Sequence, residues 1–143
     1  MNNHPDLSFL IDDLHLSSEQ QQRIAILELR GLIFLGSANH LVQKVRQRLH
    51  LHKRLSSQPP LRFLVLDFEQ VSSLDPSAVL SFTKIKQIST QHNIQLVFTH
   101  LAPPFRHQLQ QGNCYNPSTS DIQLFPTLRQ GLIWCAQHLS EID

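Results

Sequence analysis

Residues 61–85 read LRFLVLDFEQVSSLDPSAVLSFTKI, and their pattern decides the fold class. Leu61 to Phe68 is an almost unbroken apolar run of strand length. A strand with one wet face would alternate, so this one is expected mid-sheet, covered on both sides. Asp75, Pro76 and Ser77 then form a helix start: the aspartate carboxylate can accept from orphan amides as N-cap, and proline at the first helical position gives up no donor the helix needs. The helix is expected to run to about His92. At 100° per residue, Ala78, Phe82, Ile85 and Ile88 share one face and Thr83, Lys84, Lys86 and Gln87 the other, with Val79 on the border and Leu80 among the polar residues. IQLVFTH (94–100) is a second buried strand. The stretch between the two strands is long enough for a right-handed parallel crossover, so the chain is an α/β protein.

Working outward, RIAILEL (23–29) is rich in strand formers, and Gly31 followed by LIFLG (32–36) marks either a bulge or a hairpin in extended chain. From Ala38 to Lys53 the apolar positions Leu41, Val42, Val45 and Leu49 recur at helical spacing with the basic residues outward, and Ser56 to Pro60 ends that helix. Pro103 to Gln111 reads as a short helix closed by Gly112, with Phe105 and Leu109 inward. DIQLF (121–125) suits a short edge strand, and Pro126 to Leu139 sets Leu128, Leu132, Cys135 and Leu139 on one helical stripe. Residues 1–20 are read as a linker with one short strand near Phe9 to Ile11, and residues 21–143 as one domain. The expected architecture is a mixed sheet of four to five strands flanked by about four helices.

The chain has 143 residues, 41% hydrophobic and 16% charged, in keeping with a single domain that buries a core. No window approaches the roughly 18 continuous apolar residues of a membrane span, and the amino terminus carries acids where a secretory leader would carry bases. Cys114 and Cys135 form no CxxC pair, which suits free thiols in a reduced compartment. Net charge is +1, yet all seven basic residues between Leu29 and Leu66 (Arg30, Lys44, Arg46, Arg48, Lys53, Arg54 and Arg62) stand without one acid among them. A basic surface built on Lys44, Arg46, Arg48, Lys53 and Arg54 would suit anionic lipid headgroups.

Several chemistries lack their residues. The four glycines form no phosphate-cradling pattern, which disfavours nucleotide loops. A phosphoacceptor receiver would use Asp12, Asp13 and Asp67, but neither FTHLAPP nor LFPTLRQ supplies the lysine it needs. Of the nine histidines, His50 and His52 are the closest pair, and two-residue spacing puts them on opposite faces of a helix beside Lys53 and Arg54. No nucleophile elbow or HExxH motif occurs. Neither a catalytic set, a metal set nor a cofactor is therefore expected.

The sequence LVLDFEQVSSLDPSAVLSFTKI (64–85) resembles the signature of STAS domains, the sulfate transporter and anti-sigma factor antagonist family. LRGLIFLGSANHLVQKVRQRL (29–49) is similar to the version that follows the membrane part of SulP anion transporters, the match resting on Gly31, Phe34 and Ala38. IQLVFTHLAPPFRHQL (94–109) and LFPTLRQGLIWCAQHL (124–139) resemble bacterial SulP tails as well. The resemblance spans residues 22 to 140. It implies the STAS (SpoIIAA-like) fold and a partner surface around Asp75, Pro76, Ser77, Val79 and Leu80. In the antagonist branch a Ser or Thr phosphorylated by a kinase follows this aspartate. Here Pro76 stands there, without a hydroxyl, so the usual switch cannot operate, and Ser77 is the remaining phosphate acceptor at this turn.

What the resemblance implies is a non-enzymatic regulatory or assembly domain of a SulP-type transporter, cytoplasmic and at the inner face of the plasma membrane. Its partners would be the membrane domain, a second copy of the chain and, through the basic helix, anionic lipid; nucleic acid is not among them. The alternatives are a free-standing antagonist or stress-signalling scaffold and a weak nucleotide-binding sensor.

Overall fold

The computed structural model describes residues 14, 16–54 and 59–142, with side chains described at 14, 16–50 and 59–139. The elements are α1 (Ser18–Gln22), β1 (Ile24–Ile33), α2 (Leu35–Arg54), β2 (Phe63–Leu74), a 3-10 turn (Pro76–Ala78) running into α3 (Val79–Gln91), β3 (Gln95–Thr99), α4 (Pro103–Gln111), β4 (Ile122–Phe125) and α5 (Leu128–Ile142). α1 lies partly inside the stretch read as linker. It forms because Ser17 and Gln20 cap it reciprocally, each side chain bonding the other's backbone N–H. The strand expected near Phe9 to Ile11 lies outside the described residues.

Among the described residues the sheet has four strands in the order β1-β2-β3-β4, every adjacent pair parallel. Among these residues no antiparallel pair occurs; the further strand expected near Phe9 to Ile11 lies outside them, and Gly31 shows why β1 adds no hairpin of its own. Gly31 has φ +70, which a glycine adopts without steric cost, and β1 runs straight through it instead of reversing into a hairpin. The pairing of β1 with β2 slips between Glu28 and Arg30 and again between Gly31 and Leu32, both times with an extra residue on β2. Because β1 continues, β2 also continues to Leu74, six residues past the apolar run that marked it in the sequence, with Val71 and Leu74 still buried.

β3 and the first half of β2, Phe63 to Phe68, are buried almost throughout, as central strands covered on both faces should be. Strands are added in one direction, so right-handed crossovers carry α2, α3 and α4 to the same face. There Leu41, Val45, Phe82, Ile85 and Leu109 pack on Leu64, Leu66, Phe68 and Phe98. Phe68, Phe82 and Phe98 meet with ring centroids 5.1 to 6.3 Å apart and seat α3 on the sheet. On the other face Leu128, Leu132, Cys135 and Leu139 of α5 cover Phe63, Val65 and Val97. Among the described residues no helix is long and apolar enough to cross a membrane.

Candidate functional site

The turn from β2 into α3 is rigidly held. The Asp75 carboxylate accepts from the Ser77 N–H at 2.9 Å, and Pro76 occupies the first position of the 3-10 turn. The Asp75 N–H donates to the Ile33 carbonyl at 2.8 Å, tying the turn to the end of β1. From the other side the Gln108 amide of α4 donates to the Leu74 carbonyl at 2.7 Å. The bonds from Ser77 hold the Asp75 carboxyl below the ordinary aspartate range. Asp75, Pro76 and Ser77 are all exposed, so the turn presents an ionised carboxylate and a serine hydroxyl to solvent.

Leu80, one turn further on, is 72% exposed. Three other large apolar residues, Leu32, Phe34 and Leu35, are about half exposed along the connection from β1 to α2. That connection is joined to the α3 side twice, through Ile33 to Asp75 and through the Ser81 hydroxyl donating to the Asn39 side chain at 2.9 Å. Sequence reading selected Leu80 but took Leu32 to Leu35 simply as extended chain; the signal for them was an apolar run longer than the buried part of the strand. Val79 needs a correction. It is 7% exposed and packs against Gly112, so it supports the surface from beneath and cannot offer its side chain to a partner. The reason is that the end of α4 packs over it, with Gly112 against its Cγ1.

The basic residues of α2 do not form one face. Arg46 lines a groove of about 440 Å³ between α2 and α3 together with Asn39, His40, Gln43 and Lys84, with no acid among its lining residues. Lys44 and Arg48 lie on the opposite flank of α2 at 100° per residue. The side chains of Lys53 and Arg54 lie outside the described residues.

A second cluster was not anticipated, since the spacing of the histidines gave no reason to bring one to an acid. Asp67, Glu69 and His100 meet at the carboxyl-terminal edge of the sheet, with ligand atoms all within 4.8 Å of one another. Asp67 and Glu69 are two apart on β2 and flank the first register slip against β1. His100 follows Thr99, and in a continued strand it would point to the opposite face; its φ of +53 ends the strand and turns the ring back. The ring Nε2 lies 3.2 Å from Glu69 and 4.0 Å from Asp67, while the Thr99 hydroxyl donates to Asp67 at 2.8 Å. Burial pushes the Asp67 carboxyl up, opposed by Thr99 and His100 and assisted by the charges of Glu69 and Glu28. The legible signal was the alignment of LVLD (64–67) with LVFT (96–99) as parallel neighbours, which places Asp67 beside Thr99 and leaves His100 at the rim.

The STAS domain family model matches residues 15–131 of the chain. No curated protein sequence matches it. Among solved structures, the chain is similar to a sulfate transporter family protein from Wolinella succinogenes, with TM-score 0.63 and 14% identity over 82% of this chain and 88% of that one. It is also similar to the SulP transporter STAS domain from Vibrio cholerae, with TM-score 0.65 and 15% identity over 97% and 98% of the two chains. A third likeness is to SLC26A9, with TM-score 0.63 and 16% identity over 84% of this chain but 20% of that one. At such identities these likenesses establish the fold.

Proposed function

The chain belongs to the STAS domain family, and from that premise we propose that it is a non-catalytic regulatory or assembly domain of a SulP-type anion transporter, acting through protein contacts on the cytoplasmic side of the membrane. The observation that carries this reading is the apolar rim of Leu80, Leu32, Phe34 and Leu35 beside a pinned, carboxylate-bearing turn. Rigid apolar anchors bordered by polar groups are what a protein contact needs, because little conformational freedom is lost on binding. The likeness to the Vibrio cholerae transporter domain over nearly the full length of both chains supports the transporter branch. Pro76 supports it too, since the antagonist branch depends on a hydroxyl at that position. The partner in this reading is the membrane domain, with a second copy of the chain as a further contact and anionic headgroups meeting Lys44 and Arg48.

The test is co-purification in detergent of the chain with the membrane domain of a SulP-type transporter, comparing wild type with Leu80→Asp. The wild type should be retained and the variant lost while its circular dichroism stays unchanged. Equal retention of both would remove Leu80 from the interface.

A further inference from the structure

Five groups at the carboxyl-terminal edge of the sheet play no part in the contact surface around Leu80. Glu28, Asp67 and Thr99 occupy one row across β1, β2 and β3, being Cα partners in register, and Glu69 and His100 close over the row from above. Three carboxylates thus crowd one spot, and among the described residues His100 is the single basic side chain within ion-pair reach of Asp67 and Glu69. Glu28 is the informative member. It is 8% exposed, and its Oε1 is buried without any hydrogen-bond partner, although its charge is close enough to act on Asp67. A buried, unpartnered carboxylate oxygen costs free energy, and next to two more carboxylates it costs more.

We propose that Asp67, Glu69 and His100, backed by Glu28, bind a divalent transition cation of the zinc or manganese class. One imidazole with carboxylate oxygens is the ligand mixture such ions take, whereas calcium and magnesium take oxygen alone. Metal–ligand bonds of about 2.0–2.2 Å set neighbouring ligand atoms roughly 3.3 Å apart in a tetrahedral shell. The observed 3.2 Å from His100 to Glu69 meets that spacing, and the 4.0 Å from His100 to Asp67 needs only a small closure. The Thr99 hydroxyl donates to the same Asp67 Oδ1 that lies 4.0 Å from His100, fixing that oxygen towards the cluster while its second lone pair stays free for the ion, an outer support of the kind that orients metal ligands. Glu28 would complete the charge balance directly or through a bound water. The ion would tie the part of β2 beyond its last pairing with β3 to the start of the β3–α4 connection.

The tag-free chain, stripped with EDTA, is titrated with zinc and with manganese by calorimetry, and thermal unfolding is followed in parallel. One saturable equivalent and a rise in melting temperature are expected for at least one of the two ions. Glu69→Gln and His100→Asn should each weaken binding about tenfold or more. Glu69 is exposed and asparagine tolerates a left-handed φ, so both variants should fold. Absence of saturable binding below about 100 μM, a free energy under ~5.5 kcal/mol, would overturn the proposal. So would an equivalent that both variants bind as tightly as wild type, which would put the ion on other histidines.

Discussion

Gly112→Ala should strain the base of the contact surface without touching it. A Cβ at Gly112 would lie 2.4 Å from Val79 Cγ1, deep inside van der Waals contact, and 3.3 Å from Val79 Cβ. Gly112 has φ −84, which alanine adopts freely, so the whole cost is steric. Overpacking by one methyl typically costs about 1–3 kcal/mol, and valine has little rotamer freedom with which to evade it. Val79→Ala alone removes two buried methyl groups, about 1.6 kcal/mol at ~0.8 kcal/mol each. In the double variant the new methyl enters the space that Val79 vacates. Simple addition predicts roughly 3–5 kcal/mol, whereas the geometry predicts about 2 kcal/mol, a coupling on the order of 1–3 kcal/mol. Urea melts of the four proteins measure it, and each kcal/mol should also move the melting temperature by about 4 °C. Additivity within about 0.5 kcal/mol would refute the contact between Gly112 and Val79. Because Val79 precedes Leu80, Gly112→Ala should also weaken partner retention even though its own site is away from the rim.

Leu80→Asp removes up to about 1.5–3 kcal/mol of apolar burial from the proposed interface, a loss of tenfold to a hundredfold in affinity. Its effect on folding stability should be near zero or slightly favourable, since an acid in the first turn of α3 meets the positive end of the helix; a large drop in melting temperature would contradict the exposure. Lys44→Gln with Arg48→Gln should weaken association with phosphatidylserine vesicles by about 1 kcal/mol per charge, and added salt should do the same, while Arg46→Gln on the other flank should matter less. No vesicle binding by the wild type would end the lipid proposal. Cys135 is buried with its thiol pushed up to about 12, and burial also raises Cys114, so native protein at neutral pH should resist iodoacetamide until denaturant exposes both thiols. Asp75→Ala should lower the melting temperature near neutral pH and Asp75→Asn much less. Its folded pKa is depressed, so the contribution of its cap is present above the unfolded aspartate value and fades as pH falls through the folded one. A pH-independent difference between wild type and Asp75→Ala would count against the cap. Kinase treatment and mass spectrometry would test Ser77; phosphate there would favour the signalling reading over the transporter one.

The elements themselves were legible because their signals are local. α4 begins and ends where its prolines and Gly112 mark it, and α3 starts on the Asp75-Pro76 cap and stops within a residue of expectation. The stripe Leu128, Leu132, Cys135 and Leu139 is the buried face of α5. Gly31 was ambiguous because a left-handed glycine serves a bulge and a hairpin equally well, and the choice depends on whether β1 finds a partner beyond it. β2 supplies that partner through Gln70 to Leu74, a stretch whose composition looks like a loop.

From the sequence by itself come the α/β order of elements, the family resemblance, a proline without a hydroxyl at position 76 and the exposure of Leu80, all properties of one residue or one period. Only the tertiary structure decided that Val79 turns inward, that Leu32, Phe34 and Leu35 join Leu80 at one end of the sheet, and that Glu28, Asp67, Glu69 and His100 converge. The last four come from separate strands and a strand end, so their distances depend on strand register and on the backbone turn at His100. Composition and periodicity carry neither quantity.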